Sequence, residues 1–368
     1  MACGQYSIMK SPLHAIHEEI GATFTTFEGH VMPLKYTSIQ DEHITVRRQV
    51  GVFDVSHMGA LMISGEDAPA LVSKVTTCNP EKVGVNMGFY TTILREDGTI
   101  IDDEVFLRLD EDEYLFIPNA GRSQAVEQWF RTQAADMEAT VADCSPSFAI
   151  LAVQGPRSEE TLQGLVDVNL GEMKLFACRE MEEEEGRTII SRTGYTGEKG
   201  YELYMTPGGR AIPWLKKILE SGTIHGIKPI GLGARDTLRL EKGFALAGNE
   251  FAGGRTPLEA GLDWVIHWDH EFVGKEALER QRNTPHDRLA FLECMQRGVP
   301  RHGHRVEKDG EEAGVVTSGT FSPCLKKGIA MAYLHPPHQD AEVLDIVTGD
   351  QRIPARKVKP PFVKKDQC

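Results

Sequence analysis

The sequence predicts an α+β fold followed by a separate all-β C-terminal domain. Three observations carry this. Hydrophobic periods of two and of 3.6 residues alternate through the first two thirds of the chain. From Phe291 onward short strands and Gly-rich turns replace them, as in a β-barrel or sandwich. A length of 368 residues exceeds one ordinary core, so two or three domains are expected. Hydrophobic residues at 40% and charged residues at 26% are the proportions of a folded globular chain.

The elements follow in order. A strand around 60–63 leads into a helix over 64–75 that opens at Ser64 and carries Ala68, Leu71 and Val72 at helical spacing. Residues 89–94 and 100–109 alternate as strands, and a strand at 113–117 precedes a helix at 121–133 entered after Asn119-Ala-Gly. A strand at 148–153, a helix at 157–165, a hairpin over 188–205 and a helix at 209–221 complete the mixed region. The acidic run Glu182 to Glu185 reads as a solvated hairpin tip and not as a metal site.

Charge and cysteine usage exclude several classes. Forty Lys and Arg against fifty-four Asp and Glu leave −14, which opposes a nucleic-acid or anionic-membrane surface. The seven cysteines are scattered with no C-x-x-C pair, so reduced thiols are expected in place of a disulfide framework or zinc site. No apolar run approaches the ~20 residues of a membrane span. The N-terminus lacks the apolar stretch of a secretory signal and the Arg-rich character of a transit peptide, so a cytoplasmic location is expected.

The most informative segment is Thr99 to Leu109. Alternation puts Ile101, Asp103, Val105, Leu107 and Leu109 on one strand face, and Ile100, Asp102, Glu104, Phe106 and Arg108 on the other. Asp103 is then the one charge on an otherwise apolar face. A buried carboxylate costs several kcal/mol unless it meets a donor or a ligand. It either ties the turn after Gly98 or serves as a general base or orienting carboxylate. The period alone does not decide between them.

Ser191 to Leu203 reads as a hairpin turned by Gly197 to Gly200 that brings Tyr195 near Glu202. A ring and a carboxylate together suit a planar heterocycle with adjacent N–H groups, although an ordinary amphipathic hairpin has the same pattern. Gly231 to Gly243 enters a helix through a Gly-rich turn. Arg235 falls in the first turn, against the helix dipole, so it requires a partner or a ligand. With no third glycine and no clear preceding strand, Gly231-x-Gly233 is not a dinucleotide fingerprint. His302-Gly-His304 reads as surface histidines, adjacent Ser56 and His57 face opposite ways, and no metal set is assigned.

Together these stretches resemble the T-protein (aminomethyltransferase) family of the glycine cleavage system. The matching segments are MPLKYTSIQDEHITVRRQVGVFDVSHMG at 32–59, GFYTTILREDGTIIDDEVF at 88–106, FIPNAG at 116–121 and FAILAVQGP at 148–156. They continue with SRTGYTGEKGYEL at 191–203, GLGARDTLRLEKGFALAGNE at 231–250, TPLEAGLDWVI at 256–266, FVGKEAL at 272–278 and GVVTSGTFSPCLKKGIAMAYL at 314–334.

The resemblance implies a three-domain cloverleaf around a central folate cavity. Its domains would be 1–55 with 145–255 (the pterin pocket), 56–144 (carrying Asp103), and a barrel-like 256–368. Asp103 matches the family's key catalytic carboxylate beside the folate amines. Met58, Tyr90, Asn119, Tyr195, Glu202, Arg235 and Trp264 match its pterin-pocket positions, and Arg301 a position suspected of contacting the partner. The implied partner is the lipoyl-bearing H-protein. The implied reaction moves its aminomethyl carbon to tetrahydrofolate with release of ammonia.

The chain departs from the family at Phe27-Glu-Gly-His30, where Phe-Ala-Gly-Trp is frequent. It also has Phe244 for an aromatic hydroxyl, Cys324 for a common Thr, and Val363-Lys364-Lys365 after Pro361-Phe362. The acceptor is thus tetrahydrofolate or a tetrahydromethanopterin-like pterin. The alternative on the same scaffold is a pterin-dependent demethylase of a small methylated substrate. An iron–sulfur assembly factor of this fold would carry Lys-Gly-Cys, and Glu241-Lys-Gly-Phe244 has no cysteine there.

Overall fold

A computed structural model describes residues 9–183, 186–349, 351–364 and 367–368. The chain divides into two compact units. The first holds the described residues through Val72 with Pro80–Tyr90 and Glu104–Arg235; the second holds Ser73–Asn79, Thr91–Asp103 and Asp236–Cys368.

The first unit is built on a six-stranded sheet in the order Cys178–Glu183, Gly186–Ser191, Gly200–Thr206, Ala149–Gln154, Gly51–Asp54 and Lys228–Ile230. All neighbours are antiparallel except the last pair, which is parallel. Ala149–Val153 is a continuous apolar run because strand Ala149–Gln154 is buried along its whole length. Helix Ala211–Ser221 turns Trp214, Leu215 and Ile218 toward Val52, Leu151, Val153, Ile190 and Leu203. That stripe at helical spacing is what buries it.

The second sheet has the order Met87–Leu94, Ile100–Arg108, Glu113–Phe116, Leu61–Ser64 and Thr140–Asp143. Phe116 anchors its core, 5.2 Å from the Phe106 ring and 4.9 Å from Phe130 of helix Ser123–Gln133. Arg187 on the first sheet grips Glu113 on the second through two bonds of 2.9 and 3.0 Å. A small sheet orders Met9–Lys10, His30–Lys35 and Thr23–Phe27.

In the second unit Arg288–Cys294, Lys327–Leu334, Glu311–Ser322, Arg305–Lys308, Val343–Thr348 and Gln351–Val358 form a closed barrel. Closure is the pairing of Phe291 with Val358 and of Cys294 with Ala355, which removes the open edge. Leu292, Val306, Val316, Ala330, Ala332, Leu344 and Ile346 fill the interior. A buried network centred on Arg239, 2% exposed, packs within this unit: its guanidinium donates to Glu250 Oε2 at 3.2 Å, Ser318 Oγ at 2.9 Å and the Phe244 carbonyl at 3.0 Å.

Several expectations need correction. Ser64 closes a strand, and the following helix runs only over Ala68–Val75. A strand, Lys228–Ile230, does precede the Gly231 turn; three residues with a central proline leave no readable period. Helix Lys275–Gln281 precedes the barrel, which starts at Arg288 and agrees with the all-β region expected from Phe291 onward. Cys324 and Cys368 form a disulfide across 44 residues of sequence, whereas reduced thiols were expected throughout. The Cys324 amide and the Ser322 hydroxyl both donate to Glu241 Oε1, so the loop bearing Cys324 is held where the tail reaches it. No local spacing announces a pair that distant in sequence. Of the acidic hairpin tip, residues 184 and 185 lie outside the described residues, and pairing is described up to Glu183 with Gly186.

Candidate active site

The site in the first unit begins with a carboxylate. Glu202 lies on Gly200–Thr206, paired with Ser191 across the hairpin. Its Oε2 accepts from the Tyr204 hydroxyl at 2.9 Å and from Thr193 Oγ1, which itself hydrogen-bonds Ser191 Oγ. Oε1 receives no hydrogen bond from the described residues. Tyr204 is buried, and burial, then the charge of Glu202, raises its phenol well above the ordinary range, so it stays a donor.

Arg235 comes from helix Leu232–Lys242, entered at Gly231. A Cβ on Gly231 would lie 2.3 Å from the Leu34 backbone, and its N–H donates to Glu42 Oε2 at 2.8 Å, so only glycine fits this entry. The Arg235 guanidinium stands 4.7 Å from the Tyr195 ring centre, a cation–π stack. Burial lowers its pKa, while Glu202, Tyr195 and Tyr204 oppose the shift.

Tyr195 sits in the connection between the paired strands, a longer loop than the tight hairpin expected. Buried Gln154 fills that loop, donating to the Thr193 carbonyl at 3.1 Å and accepting from Thr196 Oγ1 at 2.9 Å. A Cβ on Gly194 or Gly200 would collide with this amide at 2.0 or 2.3 Å. Arg47 adds bonds of 2.7 Å to the Thr196 carbonyl and 2.9 Å to Glu198. The loop is thus fixed by its glycines and by two partners far away in sequence.

The turn carrying His57 and Met58 is tied by Asp54. This carboxylate accepts from Ser11 Oγ, from His17 Nε2 at 2.9 Å and from the Ser56 amide at 2.9 Å. An ionised carboxylate only accepts, so His17 Nε2 donates to it, and Nδ1 shares a 2.9 Å hydrogen bond with the Tyr36 hydroxyl. Burial opposes the charge on Asp54, but the hydrogen bond and charge of His17, together with the Ser11 and Ser56 hydrogen bonds, outweigh it and hold the pKa below the ordinary value. His57 is 4% exposed, against Phe27 and His30 at ring distances of 5.8 and 6.5 Å. Burial first, then the Arg235 charge, push it down to about 3; Asp54 pulls the other way and His30 adds to the lowering. This imidazole is neutral at physiological pH.

Met58, Tyr90 and Asn119 are half-buried residues of the same unit. Asp103, Trp264 and Arg301 belong to the second unit. Asp103 is 8% exposed, but Asp102 and Glu104 on the opposite face are 0% and 3% exposed. The strand is therefore covered on both sides, so burial alone does not set Asp103 apart from Asp102 and Glu104. The turn after Arg95 is held by Asp97 Oδ1, which accepts from the Thr99 amide at 3.0 Å and its hydroxyl at 2.6 Å. Trp264 is 60% exposed, while Trp268 carries Arg282 at 4.6 Å from its ring. Arg301 is exposed and donates to the Gly319 carbonyl at 3.2 Å.

Sequence reasoning missed Thr193, Tyr204 and His57. Tyr204 follows from strand alternation, two residues from Glu202 on one face, whereas Thr193 lies in the loop beyond Ser191; His57 was dismissed only as a partner of Ser56.

The sequence matches two family descriptions, the GCVT N-terminal domain over residues 13–270 and the glycine cleavage T-protein C-terminal barrel domain over 288–364. It is 40% identical over 357 residues to an aminomethyltransferase of Halothermothrix orenii, covering 96% of this chain and 99% of that one. It is 41% identical over 366 residues to a probable aminomethyltransferase of Haloarcula marismortui, covering 96% and 98%. The crystal structure of glycine cleavage system aminomethyltransferase T from Bartonella henselae superposes with a TM-score of 0.91 at 30% identity, covering 98% of this chain and 99% of that one.

Proposed function

The chain belongs to the glycine cleavage T-protein family, and from that membership we propose that it is an aminomethyltransferase transferring a one-carbon unit from a lipoyl-bound aminomethyl group to tetrahydrofolate. One observation carries the choice of acceptor. Glu202 keeps Oε1 open while Oε2 is held by Tyr204 and Thr193, and Arg235 stacks on Tyr195 in the same unit. A carboxylate that only accepts, a fixed guanidinium donor and an aromatic face together match the N–H edge, carbonyl and ring of a pterin.

A bound tetrahydrofolate supplies the amine nucleophiles of the reaction. Glu202 and Arg235 hold the ring edge, Tyr195 supports Arg235, and Met58, Tyr90, Asn119 and Trp264 complete the contacts. Asp103 orients an amine and takes its proton. Positioning of this kind is worth ~7–11 kcal/mol where water is excluded, and a general base adds roughly 10²–10⁴-fold. The lipoyl H-protein as donor, Arg301 as a contact for it, a cytoplasmic location, and domains 1–55 with 145–255, 56–144 and 256–368 belong to the same proposal. Separate sheets and a closed barrel in those three regions support the division.

The test is ammonia and methylene-pterin formation from aminomethylated H-protein, with tetrahydrofolate and tetrahydromethanopterin compared. Turnover with tetrahydrofolate is expected. Turnover of a small methylated amine without H-protein would replace the proposal with a demethylase.

A further inference from the structure

Glu202 is held from behind and open in front. It lies on the interior strand Gly200–Thr206, paired on one side with Ser191 and on the other with Ala152, so its backbone is fixed. Alternation puts Tyr204, two residues on, on the same strand face. Tyr204, Thr193 and Ser191 are 1%, 5% and 0% exposed, whereas Glu202, Tyr195 and Arg235 are half-buried and keep access to solvent.

The three hydroxyls act in one direction. A carboxylate only accepts, so Thr193 donates to Oε2 and its single proton is then used. The contact between Thr193 and Ser191 therefore runs from Ser191 Oγ to Thr193 Oγ1. The Tyr204 hydroxyl is the second donor to Oε2, at 2.9 Å. Oε2 is thus occupied from the buried side, while Oε1 takes no hydrogen bond from the described residues. The end of a glutamate side chain turns in a broad two-fold well and loses rotamer freedom when a ligand fixes it. Here charge-assisted hydrogen bonds have removed that freedom before any ligand arrives.

We propose that Tyr204 and Thr193, with Ser191 behind Thr193, are positioning residues that lock Glu202 so that Oε1 alone meets the exocyclic amine of the reduced pterin; this rests on the tetrahydrofolate reading above. Buried hydroxyls that only satisfied one another would stabilise the fold without distinguishing one ligand from another.

Calorimetry separates the two roles with a pair of ligands, tetrahydrofolate and its analogue in which a methyl replaces the exocyclic amine. Tyr204→Phe and Thr193→Val keep the shape of the side chain, and each removes one donor. Each should raise the dissociation constant for tetrahydrofolate about three- to tenfold, part of the worth of a charge-assisted hydrogen bond. Thr193→Ser returns the hydroxyl and should recover most of the affinity lost in Thr193→Val. For the analogue, which offers Oε1 no amine, the same variants should change affinity by less than about twofold, because the coupling between residue and ligand is gone.

An equal penalty for both ligands, or none for tetrahydrofolate, overturns the inference and leaves the acceptor reading intact. Wild-type protein that does not bind tetrahydrofolate overturns both. If Tyr204→Phe fails to fold, Thr193→Val against Thr193→Ser decides.

Discussion

The guanidinium carbon of Arg235 lies 4.7 Å from the centre of the Tyr195 ring, and the two reach that contact from different elements, a helix entered at Gly231 and a loop plugged by Gln154. The stack gives a buried cation a defined direction. Tyr195→Phe keeps the ring and should bind tetrahydrofolate nearly as wild type. Tyr195→Ala should weaken binding by ~0.5–2 kcal/mol, roughly two- to thirtyfold. Equal affinities for all three, measured by calorimetry, would remove the stack from the account.

Asp103→Asn keeps the shape of the side chain and removes its capacity to take a proton. Tetrahydrofolate binding should stay near normal while ammonia release falls by roughly 10²–10⁴-fold. Near-wild-type ammonia release would end the general-base role.

Neutral burial of His57 predicts a pH dependence of stability. Its folded pKa of about 3 lies below the ordinary 6.5, so the unfolded chain binds the proton more readily. This contribution is complete above pH 6.5 and is lost as pH falls toward 3, with a slope of up to about 1.4 kcal/mol per pH unit. Urea titrations of wild type and His57→Phe between pH 7.5 and 4.5 should show a shallower loss in the variant. Parallel curves would contradict it.

Removing the Cys324–Cys368 link frees a loop of 44 residues. Loop-closure entropy sets the loss near 4 kcal/mol, with engineered cases often lower. Calorimetry with and without reductant should show a fall in melting temperature for wild type and none for Cys368→Ser. An identical response would mean that the bond is not closed in solution.

Arg239→Ala would leave the Glu250 carboxylate, 0% exposed, buried without its cation. A destabilisation of ~3–5 kcal/mol is expected by urea unfolding. A loss under 1 kcal/mol would show that the network relaxes freely.

The sequence alone determined the α+β class, the barrel-forming C-terminal region and the family, because strand and helix periods and ordered local motifs are properties of neighbouring residues. Strands 87–94 and 100–108 and helix 123–133 fell within two residues of expectation for that reason. Tertiary structure decided what depends on contacts between distant segments: the Gln154 plug under the Tyr195 loop, the Cys324–Cys368 bond, the parallel strand Lys228–Ile230, and the isolation of His57 Nδ1. Both faces of the Asp103 strand are buried because other elements cover them, and no residue's own neighbours in sequence report that.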